Sequence, residues 1–124
     1  METLMKIFFT SIILLFSGLI HAGEICREIN DQAYKNEILL TPTGKIYRAT
    51  GTGRLYIHHA PDIKCKPKNA KFIINGDKVQ AYTEYNDFFS IMYFRKNGTT
   101  IEGWILKDRL IETKESSSPS EQEK

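Results

Sequence analysis

Two adjacent histidines and two separated cysteines are the residues with the most chemistry to offer, and their spacing limits what that chemistry is. His58 and His59 end the run Arg54-Leu55-Tyr56-Ile57-His58-His59-Ala60, which alternates as a half-buried strand does. Neighbouring strand residues point to opposite faces, so the two imidazoles do not readily share one ion and only one of them faces a core. The alternation puts Leu55, Ile57 and His59 on one face and Tyr56 and His58 on the other. A metal site would have to recruit Asp62, Asp77 or Glu84 from other segments, so no metal and no cofactor is expected.

Nucleophilic catalysis asks for an activated serine or cysteine beside a base. Ser90 lies within strand-like sequence, and Asp62 and Asp77 stand where aspartate serves as a turn former rather than as half of a carboxylate pair. The chain is therefore expected not to be an enzyme. Cys26 and Cys65 form an even pair without further ligands at metal spacing, which in an oxidising compartment implies a disulfide contributing about 2–4 kcal/mol.

The first residues supply that compartment. Met5-Lys6 precedes the apolar run Ile7 to Phe16, and a small residue follows at Ala22. This is the pattern of a secretory signal over residues 1–22, with cleavage after Ala22. The run is shorter than the ~20 apolar residues a spanning helix needs, so no stable membrane anchor is expected after cleavage. Cys26 is preceded by Gly23-Glu24-Ile25, which is no context for lipid attachment. A periplasmic or secreted location follows, with about 100 residues left for one domain. The formal charge of +2 is unchanged by loss of Glu2 and Lys6. Lys64, Lys66, Lys68 and Lys71 make a local cluster rather than the basic stripe that nucleic acid requires, so no nucleic-acid partner is expected.

The elements that must position these residues are short. Residues 23–52 form an N-terminal extension in which Ala33 to Leu40 suits either a helical turn or extended chain, and Thr41-Pro42-Thr43-Gly44 punctuates it. Lys45 to Ala49 alternates as a first strand and Arg54 to Ala60 as a second. Ile63 to Ala70 carries Cys65 and Pro67 without periodicity and reads as a loop. Lys71 to Ile74 resumes extended structure. Lys78 to Tyr85 and Phe88 to Phe94 flank Asn86-Asp87, two residues that tolerate positive φ, and so form a hairpin. Asn97-Gly98 is the strongest turn signal in the chain, and Thr99 to Ile105 follows as a strand. Leu106 to Ile111 reads as a helical turn and a closing strand. Residues 113–124 offer nothing to bury and form a disordered tail.

From Gly53 to Leu110 the chain resembles the bacterial SH3-like (Src-homology-3-like) domains. The resemblance is carried by Arg54 to Pro61, the Ile74-Asn75-Gly76-Asp77-Lys78-Val79 turn, the Tyr85 to Ile91 hairpin, and Gly103-Trp104-Ile105 ahead of Leu110. It implies an all-β fold over residues 53–112, a small barrel of about five short strands, with the disulfide tying the extension onto it. A glycine before the tryptophan would permit close backbone approach, and the tryptophan would fill much of a small core. The cysteine-bearing loop and the extension depart from the family pattern.

Tyr56, Tyr82, Tyr85, Phe88, Phe89, Tyr93 and Trp104 exceed what one face of so small a barrel needs. Tyr56, His58, Tyr82, Tyr85 and Phe89 are accordingly the candidate binding residues. The simpler expectation is that alternation sends half of the aromatics to the core and half to a solvated face. Two functions fit: a periplasmic inhibitor or immunity-type protein that blocks another protein, such as a toxin or cell-wall hydrolase, or a module that binds peptidoglycan or peptide, as the resemblance implies.

Overall fold

A computed structural model describes residues 22–115; the expected signal segment lies outside them except for Ala22. The described chain is mostly β-sheet with one helix. In order it comprises α1 (Ala22–Asn36), β1 (Ile38–Leu39), β2 (Lys45–Ala49), β3 (Leu55–Tyr56), a 3-10 turn (Ile63–Cys65), β4 (Phe72–Ile73), β5 (Lys78–Tyr85), β6 (Phe88–Phe94), β7 (Thr100–Leu106), a second 3-10 turn (Lys107–Arg109) and β8 (Leu110–Glu112). Among the described residues, no helix is long and apolar enough to cross a membrane.

The larger sheet is antiparallel in the order β7-β6-β5-β2-β8, with β1 alongside the end of β5. Its centre is the hairpin expected from sequence. Tyr85 pairs with Phe88 across Asn86 (φ 52°) and Asp87 (φ 67°), two left-handed residues that match the right-handed twist of the flanking strands. The next hairpin turns at Asn97-Gly98, where Gly98 has φ 89° and Asn97 Oδ1 accepts from the Thr99 backbone and hydroxyl. β2 lies between β5 and β8, so the extension contributes an interior strand.

The ladders do not close into the barrel that the sequence suggests. β3 and β4 form a separate ribbon that meets the larger sheet at one antiparallel bridge, His58 with Trp104, whose two backbone bonds are 2.8 and 2.9 Å. The ribbon strands are only two residues long, and a short strand leaves its neighbours little to pair with. Pairing stops before His59. That histidine leaves the ladder and is exposed, in place of lying beside Leu55 and Ile57.

One core fills the space between ribbon and sheet: Leu55, Ile57, Ile73, Val79, Ala81, Phe89, Ile91, Ile105 and Leu110, with Ala49. Burying each of the larger side chains stabilises the fold by about 1.5–3 kcal/mol before entropy is counted. A β-bulge at Tyr82 changes the alternation within β5. Val79 and Ala81 face this core, whereas Thr83 and Tyr85, opposite Ser90 and Phe88, face the other side.

That other side is covered, not solvated. Helix α1 lies across it, with Ala33 fully buried against Phe88 and Trp104, and Tyr85 and Leu106 packed around them. Cys26, Ile29, Asn30 and Ala33 recur at the three- and four-residue spacing of one helix face, and Trp104 Nε1 donates to Asn30 Oδ1 at 2.9 Å. The tryptophan thus packs beneath the helix, where sequence suggested the main core. The Cys26–Cys65 disulfide is formed and ties α1 to the first 3-10 turn, its Cα atoms 5.6 Å apart. The start of the expected tail is ordered: Thr113 donates through N and Oγ1 to the Ile46 carbonyl, and Glu115 pairs with Lys78. Residues 116–124 lie outside the described part.

Gly103 passes close against Ile57 and His58. A Cβ on Gly103 would stand 2.8 Å from the His58 carbonyl oxygen and would overlap the Ile57 side chain. Gly103→Ala is expected to lower unfolding stability by about 1–3 kcal/mol, measured by urea denaturation. Replacing both cysteines by serine is expected to cost about 2–4 kcal/mol and to shift the emission of Trp104, the sole tryptophan, to the red as α1 loosens over it. An unchanged spectrum would show that α1 stays docked without the disulfide.

Candidate functional site

The structure separates the residues singled out from sequence. His58 and Phe89 are buried, Phe89 in the main core and His58 with its ring 5.2 Å from that of Phe88. Tyr85 is half-buried under α1. Tyr56 and Tyr82 remain half-exposed, on different parts of the surface.

Tyr56 belongs to a strip on the β3–β4 ribbon. Tyr56 and Phe72 are cross-strand partners whose rings meet edge to face at 6.1 Å. The Arg54 guanidinium lies 4.3 Å from the centroid of Phe72 and the Lys66 ammonium 4.4 Å from that of Tyr56. The strip therefore reads Arg54, Phe72, Tyr56, Lys66, an alternation of cations and rings in cation–π contact. Phe72 is 41% exposed and Ile74 beyond it 51%. At the Lys66 end the strip runs into the loop that carries Cys65. The basic cluster noted in the sequence is thus in part a stacking element.

Arg109 holds the opposite end. Its Nε donates to Thr50 O at 2.6 Å, Nη2 to Gly53 O at 2.9 Å and Nη1 to Arg54 O at 3.3 Å. One guanidinium thereby fixes the Gly51-Thr52-Gly53 loop that leads into β3, using the fork of donors that suits it to several acceptors. Nothing in the sequence marked Arg109 or Phe72 as important, because their partners are backbone oxygens and rings brought together only by folding.

Tyr82 lines a second feature, a cleft of about 440 Å³ between α1 and strands β5–β7, together with Asn30, Tyr34, Glu37, His59 and Glu102 among others. Beside it, a cleft of about 390 Å³ lies over the disulfide, lined by Arg27, Asn30, His59, Lys64, Lys66 and Pro67 among others. Thr83 and Ser90, hydrogen-bonded to each other, lie on the inner wall of the first cleft. Among the described residues, no group of three or more His, Cys, Asp or Glu side chains is arranged to hold a metal ion.

Two ionisable side chains have shifted affinities for the proton. The Glu84 carboxylate, hydrogen-bonded to Lys107, raises that ammonium above its usual 10.5. Burial pushes the His58 imidazole below its usual 6.5, with Lys66 adding to the effect, although the backbone at Tyr56 and Trp104 and the Asp62 charge pull the other way. The neutral ring donates from Nδ1 to the Tyr56 carbonyl at 3.0 Å.

His58 therefore links stability to pH. The unfolded chain takes up the proton near pH 6.5 and the folded chain only at lower pH, so stability is full above 6.5 and falls as pH drops from there through the folded value. The urea midpoint is expected to decline as the pH falls below the ordinary imidazole value of 6.5, and His58→Gln is expected to remove most of that slope. An undiminished slope in the variant would assign the titration to another group.

Compared with known proteins, the chain matches no protein-family model, no curated protein and no solved structure.

Proposed function

We propose that this is an exported, non-catalytic SH3-like domain of the inhibitor or immunity type, which docks onto another protein, such as a toxin or cell-wall hydrolase, and blocks it. The observation that carries this reading is the Arg54–Phe72–Tyr56–Lys66 strip. Rings and guanidinium groups are the side chains that most often dominate binding energy at protein interfaces, and here they are presented on a ribbon stiffened from both ends. Arg109 fixes the loop that leads into it, and the disulfide ties the neighbouring Cys65 loop to α1. A rigid surface loses less conformational freedom on binding.

The disulfide supports export, since such bonds persist in oxidising compartments. The charges of Arg54, Lys64, Lys66, Lys68 and Lys71, all exposed, favour an acidic partner surface by electrostatic complementarity. Gly103-Trp104 at the close approach to Ile57 and His58, the Asn86-Asp87 hairpin and Leu110 in the closing strand support the SH3-like reading.

The protein is to be passed in parallel over periplasmic extract and isolated cell wall. A stoichiometric complex with one acidic protein is expected, weakened about tenfold or more by Phe72→Ala. That substitution spares the core because the neighbouring Ile73, not Phe72, is the buried residue of β4. Retention on wall alone, unaffected by Phe72→Ala, would replace the inhibitor by the peptidoglycan-binding module.

A further inference from the structure

The two clefts beside α1 share a wall and differ in charge. Asn30 and His59 line both. On one side of them stand Arg27, Lys64 and Lys66, with no carboxylate among the lining residues. On the other stand Glu37 and Glu102 with Tyr34 and Tyr82, and no lysine or arginine. Each cleft opens to solvent, and together they form one dipolar trough along the helix.

The helix sets the order. Arg27, Asn30, Tyr34 and Glu37 follow at steps of three, four and three residues, a single stripe along α1 and the residue just past its end. Their sequence along the axis is cation, amide, ring, carboxylate. At 1.5 Å per residue the two charged ends of this stripe stand about 15 Å apart between Cα atoms. The strands and the cysteine loop repeat the polarity on the facing wall, with Lys64 and Lys66 at one end, His59 at the middle and Glu102 at the other.

We infer that this trough is a binding site for a short zwitterionic peptide, its carboxylate beside Arg27, Lys64 and Lys66 and its ammonium beside Glu37 and Glu102. Arginine and lysine donate charge-assisted hydrogen bonds to a carboxylate. At the other end the two carboxylates accept from an ammonium group, and the faces of Tyr34 and Tyr82 offer it cation–π contact. Asn30 and His59 stand between the ends, where a peptide presents its amide groups. An extended chain covers ~3.3–3.6 Å per residue, so three or four residues span the distance left between the charged side-chain tips. Lys64 is only loosely engaged by Asp62, at 4.0 Å, and Lys66 stacks on Tyr56 while lining the trough. The trough is distinct from the docking strip, and the two meet only at Lys66.

The probe is tetra-alanine, titrated into the protein and followed by backbone amide shifts, against N-acetyl-tetra-alanine and tetra-alanine amide as blocked controls. Tetra-alanine is expected to shift resonances on both sides of His59. Blocking either end is expected to weaken it by about three- to tenfold, as are Glu37→Gln at one end and Lys64→Ala at the other, both side chains lying outside the core. Raising the salt concentration is expected to weaken it further. Equal binding of the blocked peptides would overturn the dipolar site, and so would the absence of any binding up to about 10 mM. Phe72→Ala is expected to leave tetra-alanine binding intact, so failure of the docking strip and failure of the trough are separate results.

Discussion

The structure hinges on the close approach of two backbones, where the His58 carbonyl accepts from Trp104 N and passes over Gly103. This is the β-bridge that joins the segment after β3 to the larger sheet, while Arg109 and the Ala49–Gly76 bond fasten the ends of the ribbon. It decides what the core can be. With the ribbon held here, Leu55, Ile57 and Ile73 close over Val79, Ile91 and Ile105. A side chain at position 103 would press on the Ile57 side chain and the His58 carbonyl, where the two layers meet. The contact requires glycine for its lack of volume, not for an unusual backbone angle.

The same bridge sorts the aromatics onto two faces. Because His58 pairs opposite Trp104, both side chains lie on the side away from the main core, beside Phe88. The bulge at Tyr82 brings Thr83 and Tyr85 to that side as well. A second apolar face on so small a sheet has to be covered, and helix α1 covers it, held by the disulfide at one end and by the Trp104–Asn30 hydrogen bond. The excess of aromatic residues over the needs of one core thus has a structural cause: the second face takes His58, Phe88, Trp104 and much of Tyr85 from the surface, while Phe89 belongs to the main core. Tyr56 and Tyr82 stay accessible because each sits at a margin, one on the ribbon and the other at the bulge.

Much of the sheet was legible from sequence, and the parts that were not share a reason. The strands from Lys78 to Phe94 and the Asn86-Asp87 and Asn97-Gly98 turns are dictated by neighbours in the chain: alternation, and residues that accept positive φ. Helix α1 was not legible, since its inward stripe is Cys26, Ile29, Asn30 and Ala33, with one large apolar residue where an amphipathic pattern would place several. Its burial depends on a disulfide and on a tryptophan more than seventy positions away. His59 was misplaced because alternation cannot show where pairing stops. Phe72, Arg54 and Arg109 were missed because each acts through partners that only folding supplies. The failures lie where distant segments meet, which is also where the strip and both clefts are found.

That coincidence follows from the architecture. The sheet and the ribbon, taken alone, would leave the second face of the sheet, with Phe88 and Trp104, uncovered. Adding α1 across that face creates a seam between helix and sheet, and the seam is not filled, because Asn30 and Tyr34 of the helix and Glu37 just past its end stand where a well-packed helix would offer leucine or isoleucine. Polar side chains along a seam cost stability that a larger apolar stripe would supply. The disulfide offsets that cost by restricting the unfolded chain instead of by filling the space. A helix fastened covalently need not pack tightly, and the space it leaves, with cations toward the disulfide and carboxylates toward Glu37, is what makes the trough available to a ligand.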